Sequence, residues 1–205
     1  VVPPAAEPPT SSPTPDWTEE GWVHRIAAPE KGCLLVSQPD VYFGPGNGLL
    51  RQSVLLLLEH DDELGGSLAI ALNRPTDNEL GDVLSQPALR HTFGERPLHL
   101  GGTESESGKS NVFMLCETEG ATREQHRAST GDDSAAFLLP GLWLASAAPA
   151  AGRILEKKGI GQKTPKEEQS RFHFYAGATV WDRGRLKSEC DAGCWYTLAA
   201  STQTI

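Results

Sequence analysis

From Gly32 onward, short apolar runs alternate with turn-forming residues, the pattern of a sheet protein with interleaved helices. Cys33-Leu34-Leu35-Val36 predicts a strand that stops at Ser37-Gln38-Pro39, and Gly44-Pro45-Gly46-Asn47-Gly48 predicts a turn-rich loop. Val54 to Leu58 is apolar throughout, which predicts a central strand covered on both faces. Leu68, Ile70 and Leu72 then alternate with Ala69 and Ala71. This strand should turn a large face one way and a small face, fit for a closely packed helix, the other. Leu80, Val83 and Leu84 have helical spacing, with Asp77 as the expected cap.

Leu98 to Leu100 and Val112 to Leu115 read as further strands, separated by the Gly101-Gly102 turn and a Ser-rich loop. Residues 117–134 form a charged excursion. From Ser134 to Gly152 no side chain is charged, but Pro140, Gly141 and Pro149 interrupt the run and much of it is alanine. A strand over Gly141 to Ala145 followed by a helix carrying Ala147, Ala151, Ile154 and Leu155 fits better than a membrane span. Lys157 to Gln169 is polar and predicts a surface loop. Arg171 to Tyr175 returns to strand character, Asp182 is the expected cap of a helix carrying Leu186 and Cys190, and Trp195 to Ala199 predicts a closing strand. The fold class is α/β or α+β, a single domain over residues 31–205 with a mixed sheet flanked by helices.

Residues 1–30 differ from all that follows. Six of the fifteen prolines fall between Pro3 and Pro15, a composition that builds no core, so an extended Pro-rich arm is expected. Trp17 and Trp22 are the side chains best able to anchor it, on a partner protein or on its own domain. The chain starts at Val1 without Met, which points to a removed targeting segment.

Eighteen Lys and Arg against 27 Asp and Glu leave a formal charge of -9, the wrong sign for a protein whose affinity rests on phosphate neutralisation, so nucleic acid is not an expected partner. No stretch approaches the roughly 20 consecutive apolar residues of a membrane-spanning helix. The glycine-rich Gly44–Gly48 loop lacks the Lys-Ser/Thr ending of a phosphate cradle and leads into a strand, so it reads as a turn. His60-Asp61-Asp62-Glu63 gathers metal-capable side chains, but neighbours at a strand end cannot all face one ion. No metal or cofactor is expected. Cys190 and Cys194, four apart, read first as ordinary buried or surface thiols, and as candidate redox residues in the alternative. No nucleophile can be paired with a base, and the chain does not read as an enzyme.

Several segments occur in a recognisable order. Gly32 to Pro39, Arg51 to His60, Ala71-Leu72-Asn73-Arg74-Pro75 and Leu100-Gly101-Gly102 resemble the AlgH/YqgE-like family, as do Gly141-Leu142-Trp143, Arg171-Phe172, Trp181 with Gly184-Arg185-Leu186, and Gly193-Cys194-Trp195. The likeness covers roughly residues 32–200, and Trp195 to Ser201 looks most like the plant and algal branch. The resemblance implies a compact α/β domain without an established enzymatic activity; bacterial members have been called transcriptional regulators. Where the family has Gly-Tyr-Ala-Gly-Trp this chain reads Gly177-Ala178-Thr179-Val180-Trp181, and where it has a Leu-His pair this chain has Leu115-Cys116. A helix expected after the last strand is missing, as in a shortened member.

Strand ends are where a sheet protein places a ligand, which makes Glu59, His60, Asn73, Arg74 and Gly102 the candidate cleft residues. The expected function is that of a non-catalytic subunit docked on a larger plastid complex, such as a photosynthetic assembly at the thylakoid surface, with membrane association only through partners. The alternatives are a small-molecule or redox-sensing regulator and, by family label alone, a transcriptional regulator.

Overall fold

The computed structural model describes residues 21–45, 47–63, 65–84, 87–103, 111–117, 135–146 and 170–205. In chain order the strands are β1 (Val23–Arg25), β2 (Leu34–Ser37), β3 (Val54–His60), β4 (Ser67–Ala71), β5 (Pro75–Glu79), β6 (Pro97–Leu100), β7 (Val112–Glu117), β8 (Ala136–Leu139), β9 (Leu142–Ser146), β10 (Phe172–Ala176), β11 (Thr179–Trp181) and β12 (Trp195–Ala200). The helices are α1 (Leu80–Val83), α2 (Pro87–Phe93) and α3 (Arg185–Asp191). The class is α+β. The strands divide between two sheets: β1-β12-β2-β3-β4-β11, antiparallel throughout, and β5-β6-β10-β7-β9-β8, where β6 and β10 run parallel.

Side-chain alternation turns these sheets into layers. Leu56, Leu58 and Ile70 of the first sheet share an apolar cluster with Leu115, Leu142, Leu144 and Tyr175 of the second. On the other side of the first sheet, Leu55, Leu57, Ala69 and Ala71 pack with Leu186 of α3. Behind the second sheet, Met114, Phe172 and Phe174 pack with Leu80 of α1 and Phe93 of α2. Leu55 to Leu58 are each 0% exposed, because β3 is central and covered on both faces. Four leucines at about 1.5–3 kcal/mol each make this strand a leading contributor to stability. The small face of β4 does receive a helix, since alanines at 69 and 71 leave room for Leu186.

The structure corrects several details. The cap of α1 is Glu79, in a reciprocal capping box with Asp82, while Asp77 lies inside β5. The cap of α3 is Gly184, at φ 70°, and Asp182 contributes only its backbone oxygen to Arg185 N. The uncharged run opens as a hairpin, β8 to β9, turned at Gly141 (φ 81°). The helix expected after residue 146, the excursion at 118–134 and the loop at 157–169 lie outside the described residues, as does Trp17. Within the expected arm, residues 23–25 pair with β12 as an edge strand. No helix among the described residues is long and apolar enough to cross a membrane.

Candidate functional site

The five candidate cleft residues divide among three places. Asn73 and Arg74 leave the end of β4 and clamp the turn that enters β3. Asn73 Oδ1 accepts from Val54 N at 3.0 Å, and its Nδ2 donates to Gln52 O at 2.9 Å. Gln52 is the one non-glycine residue at positive φ (54°) among those described, so this amide holds an uncommon backbone conformation in place. Arg74 Nη2 donates to Leu49 O at 2.9 Å, to Ser53 Oγ at 3.0 Å and to Arg51 O. The clamp is largely occupied by its own chain, through the carbonyls of the turn, Val54 N and Ser53 Oγ, and the buried Arg74 Nε is left without a partner in the described structure.

Glu59 and His60 lie at the opposite end of β3, about 17 Å away at about 3.4 Å per residue. A register shift between Leu57 and Glu59 marks a bulge there, and Glu59 is exposed. His60 Nδ1 meets Ser67 Oγ at 2.9 Å and its Nε2 lies 3.5 Å from Asp62 Oδ2. Gly102 belongs to neither end. A Cβ built on it would lie 1.9 Å from Ala178 C and 2.1 Å from Ala178 O, so glycine is there for backbone contact with the β10–β11 turn.

His60 does border a cleft of about 350 Å³, walled by Arg25 to Pro29 after β1, by Asp62, and by Lys187, Cys190 and Asp191 of α3, with Trp195 and Thr197 from β12. The volume suits a small molecule. Its charges are partly matched internally: Lys187 Nζ lies 2.6 Å from Asp191 Oδ2, and Arg25 sits 5.4 Å from the centre of the Tyr196 ring. Two candidates that the sequence placed in different sites, His60 and Cys190, thus meet here.

No two of the four cysteines are joined in a disulfide. Burial pushes the Cys190 thiol up to about 11, with Cys33 and the carboxylates Glu189, Asp191 and Asp62 adding to the shift. Burial does the same to Cys33, also to about 11, and raises Cys194. Thiols so shifted stay protonated at neutral pH and are poor nucleophiles. Alkylation of the native protein at pH 7 should label Cys33 and Cys190 about 100-fold more slowly than a thiol at the ordinary value, from thiolate fraction alone. Labelling at the rate of a free thiol would refute these assignments.

Sequence reasoning missed Glu189. Its Oε2 accepts from both Trp181 Nε1 and Trp195 Nε1 at 2.9 Å, and its Oε1 accepts from Arg185 Nε at 3.1 Å. The indoles meet edge to face, with centroids 6.1 Å apart. The signal was present: Arg185 and Glu189 stand one helical turn apart, and a buried indole N–H needs an acceptor.

The AlgH-like family model (DUF179) matches residues 34–205. The chain belongs to the AlgH-like family. Trp181, Arg185 and Trp195, which the sequence could only place in a family pattern, therefore converge on one carboxylate in this AlgH-like domain. A UPF0301 protein of Alcanivorax borkumensis is 30% identical over 187 residues, covering 87% of this chain and 81% of its own. Another from Chlorobaculum parvum is 29% identical over 157 residues, covering 76% and 69%. The fold is similar to a Corynebacterium diphtheriae crystal structure (TM-score 0.55, 20% identity, covering 85% of this chain and 77% of that one). It is also similar to the solution structure of the AlgH protein of Pseudomonas aeruginosa (0.52, 17%, 85% and 80%).

Proposed function

We propose that this AlgH-like chain is a non-catalytic subunit that docks on a larger assembly through the β1 edge of its first sheet. The observation that carries this reading is the exposure of two apolar side chains at that edge. Trp22 is 38% and Val23 52% exposed, on a strand whose outer side has no neighbour among the described residues. Edge strands offer unpaired backbone groups, and tryptophan is the residue most enriched among interface anchors. The backbone of Trp22 is tied to the domain through Ser201 and Thr204, which presents the ring, stacked on His24, from a fixed base. The Pro-rich segment leads straight into this strand. The likeness of Trp195 to Ser201 to the plant and algal branch supports a plastid complex at the thylakoid surface as the partner.

Native-size fractionation of a mild-detergent lysate tests this. Wild-type protein should run with a large assembly, and Trp22→Asp/Val23→Asp should run near 22 kDa while its isolated domain unfolds at the wild-type temperature. Loss of one anchoring tryptophan costs about 2 kcal/mol or more, roughly 30-fold in affinity. Unchanged comigration of the variant would remove the docking reading. A second reading, a small-molecule sensor, is favoured by the 350 Å³ cleft at His60. The raised thiols speak against its redox version, and the net charge of -9 speaks against transcriptional regulation.

A further inference from the structure

A second pocket lies away from the His60 cleft, between the turn at Asn47 to Leu50, Thr103, β11 and the first residue of α3. We propose that it receives the oxyanion end, phosphate or carboxylate, of a small molecule. Its volume is about 80 Å³. That is several times the roughly 10–15 Å³ one enclosed water needs, yet below the about 300 Å³ at which whole-ligand sites begin. It suits a terminal group.

The lining has donors and no acid. Arg185 is its one charged side chain, and no carboxylate lines it among the described residues, in a chain of net charge -9. Arg185 engages Glu189 through Nε, which leaves the two Nη groups of the guanidinium fork, the part that matches an oxyanion. Thr103 adds a hydroxyl, and Asn47, whose Nδ2 donates one hydrogen to Phe43 O at 2.8 Å, has its second amide hydrogen left.

Thr179 decides the case. It is 9% exposed, and its Oγ1 has no hydrogen-bond partner in the described structure. A buried hydroxyl without a partner costs stability and calls for an explanation. Along β11 Thr179 and Trp181 are buried while Val180 between them is 50% exposed, and all three border the pocket. Glycines shape the approach, since Thr103 follows Gly101-Gly102, Thr179 follows Gly177 at φ 71°, and Arg185 follows Gly184 at φ 70°.

Titration with sodium phosphate and, separately, sodium acetate, each against sodium chloride at equal ionic strength, tests the proposal on the full chain. Thermal unfolding and amide chemical shifts are the readouts. At least one anion should give a saturable rise in Tm and shift the Thr103 and Val180 amides. A response to phosphate alone identifies a phosphate-ended ligand, and a response to acetate alone identifies a carboxylate-ended one. Thr179→Val removes the unpartnered hydroxyl at constant shape and should fold normally, yet bind about tenfold more weakly; Arg185→Gln should lose at least as much. No saturable response to either anion, or equal affinity of Thr179→Val and wild type, overturns the proposal.

Discussion

Replacing Glu189 with alanine should lower the unfolding free energy by about 3–5 kcal/mol, because two buried indole N–H groups lose their shared acceptor. Trp181 is 2% and Trp195 3% exposed, so their N–H groups depend on an acceptor held within the protein. The Arg185 side chain is 53% exposed, so its ion pair with Glu189 is screened by solvent and adds little beside the two indole bonds. Glu189→Gln retains one oxygen for the indoles and should lose about half as much. Guanidinium unfolding followed by tryptophan fluorescence reads both the stability and the environment of the two rings. A loss below about 1 kcal/mol in the alanine variant would show that the carboxylate is a bystander.

Gly102→Ala should cost at least about 3 kcal/mol and is expected to accumulate mainly as insoluble chain. The clash is with backbone: Ala178 C at 1.9 Å, Ala178 O at 2.1 Å and Thr179 N at 2.5 Å from the new methyl. None of these atoms can rotate away. Gly48→Ala is the matched control, because its Cβ would meet nothing within 4 Å, and it should unfold within about 0.5 kcal/mol of wild type. Equal stability of the two variants would exclude close approach as the reason for glycine at 102.

The strands that could be read from sequence are those whose alternation reports burial. Leu55 to Leu58 are covered on both faces and read as a continuous run, while β4 reads as large against small. Of the strands that escaped reading, β5 and β1 bury too little to leave a pattern, and β11, three residues long, is too short to show one. In β5, Pro-Thr-Asp-Asn-Glu is almost wholly exposed and is held by pairing with β6, and β1 is exposed at all three positions. Division into two sheets was also hidden, since hydrophobic alternation says which face is covered and not by what.

The candidate site was legible only in pieces. Sequence order put Glu59, His60, Asn73 and Arg74 at the ends of adjacent strands, but an antiparallel pair brings the end of one strand to the start of the other. Asn73 therefore meets Val54, and His60 meets Ser67. What joins His60 to Cys190 is the packing of α3 against the first sheet, a contact across more than half the chain that no local spacing encodes.

The placement of β12 between β1 and β2 governs how the protein can be made. The first sheet waits on β12: Trp22 N bonds to Ser201 Oγ across 179 positions, and β2 gains its second neighbour only when residues 195–198 pair with it. Until β12 is in place, Leu34 and Leu35 stand at an open edge, with β1 unable to pair. Completion of this sheet therefore rests on pairing between distant parts of the chain, the kind of contact that forms late because its loop-closure entropy must be met first.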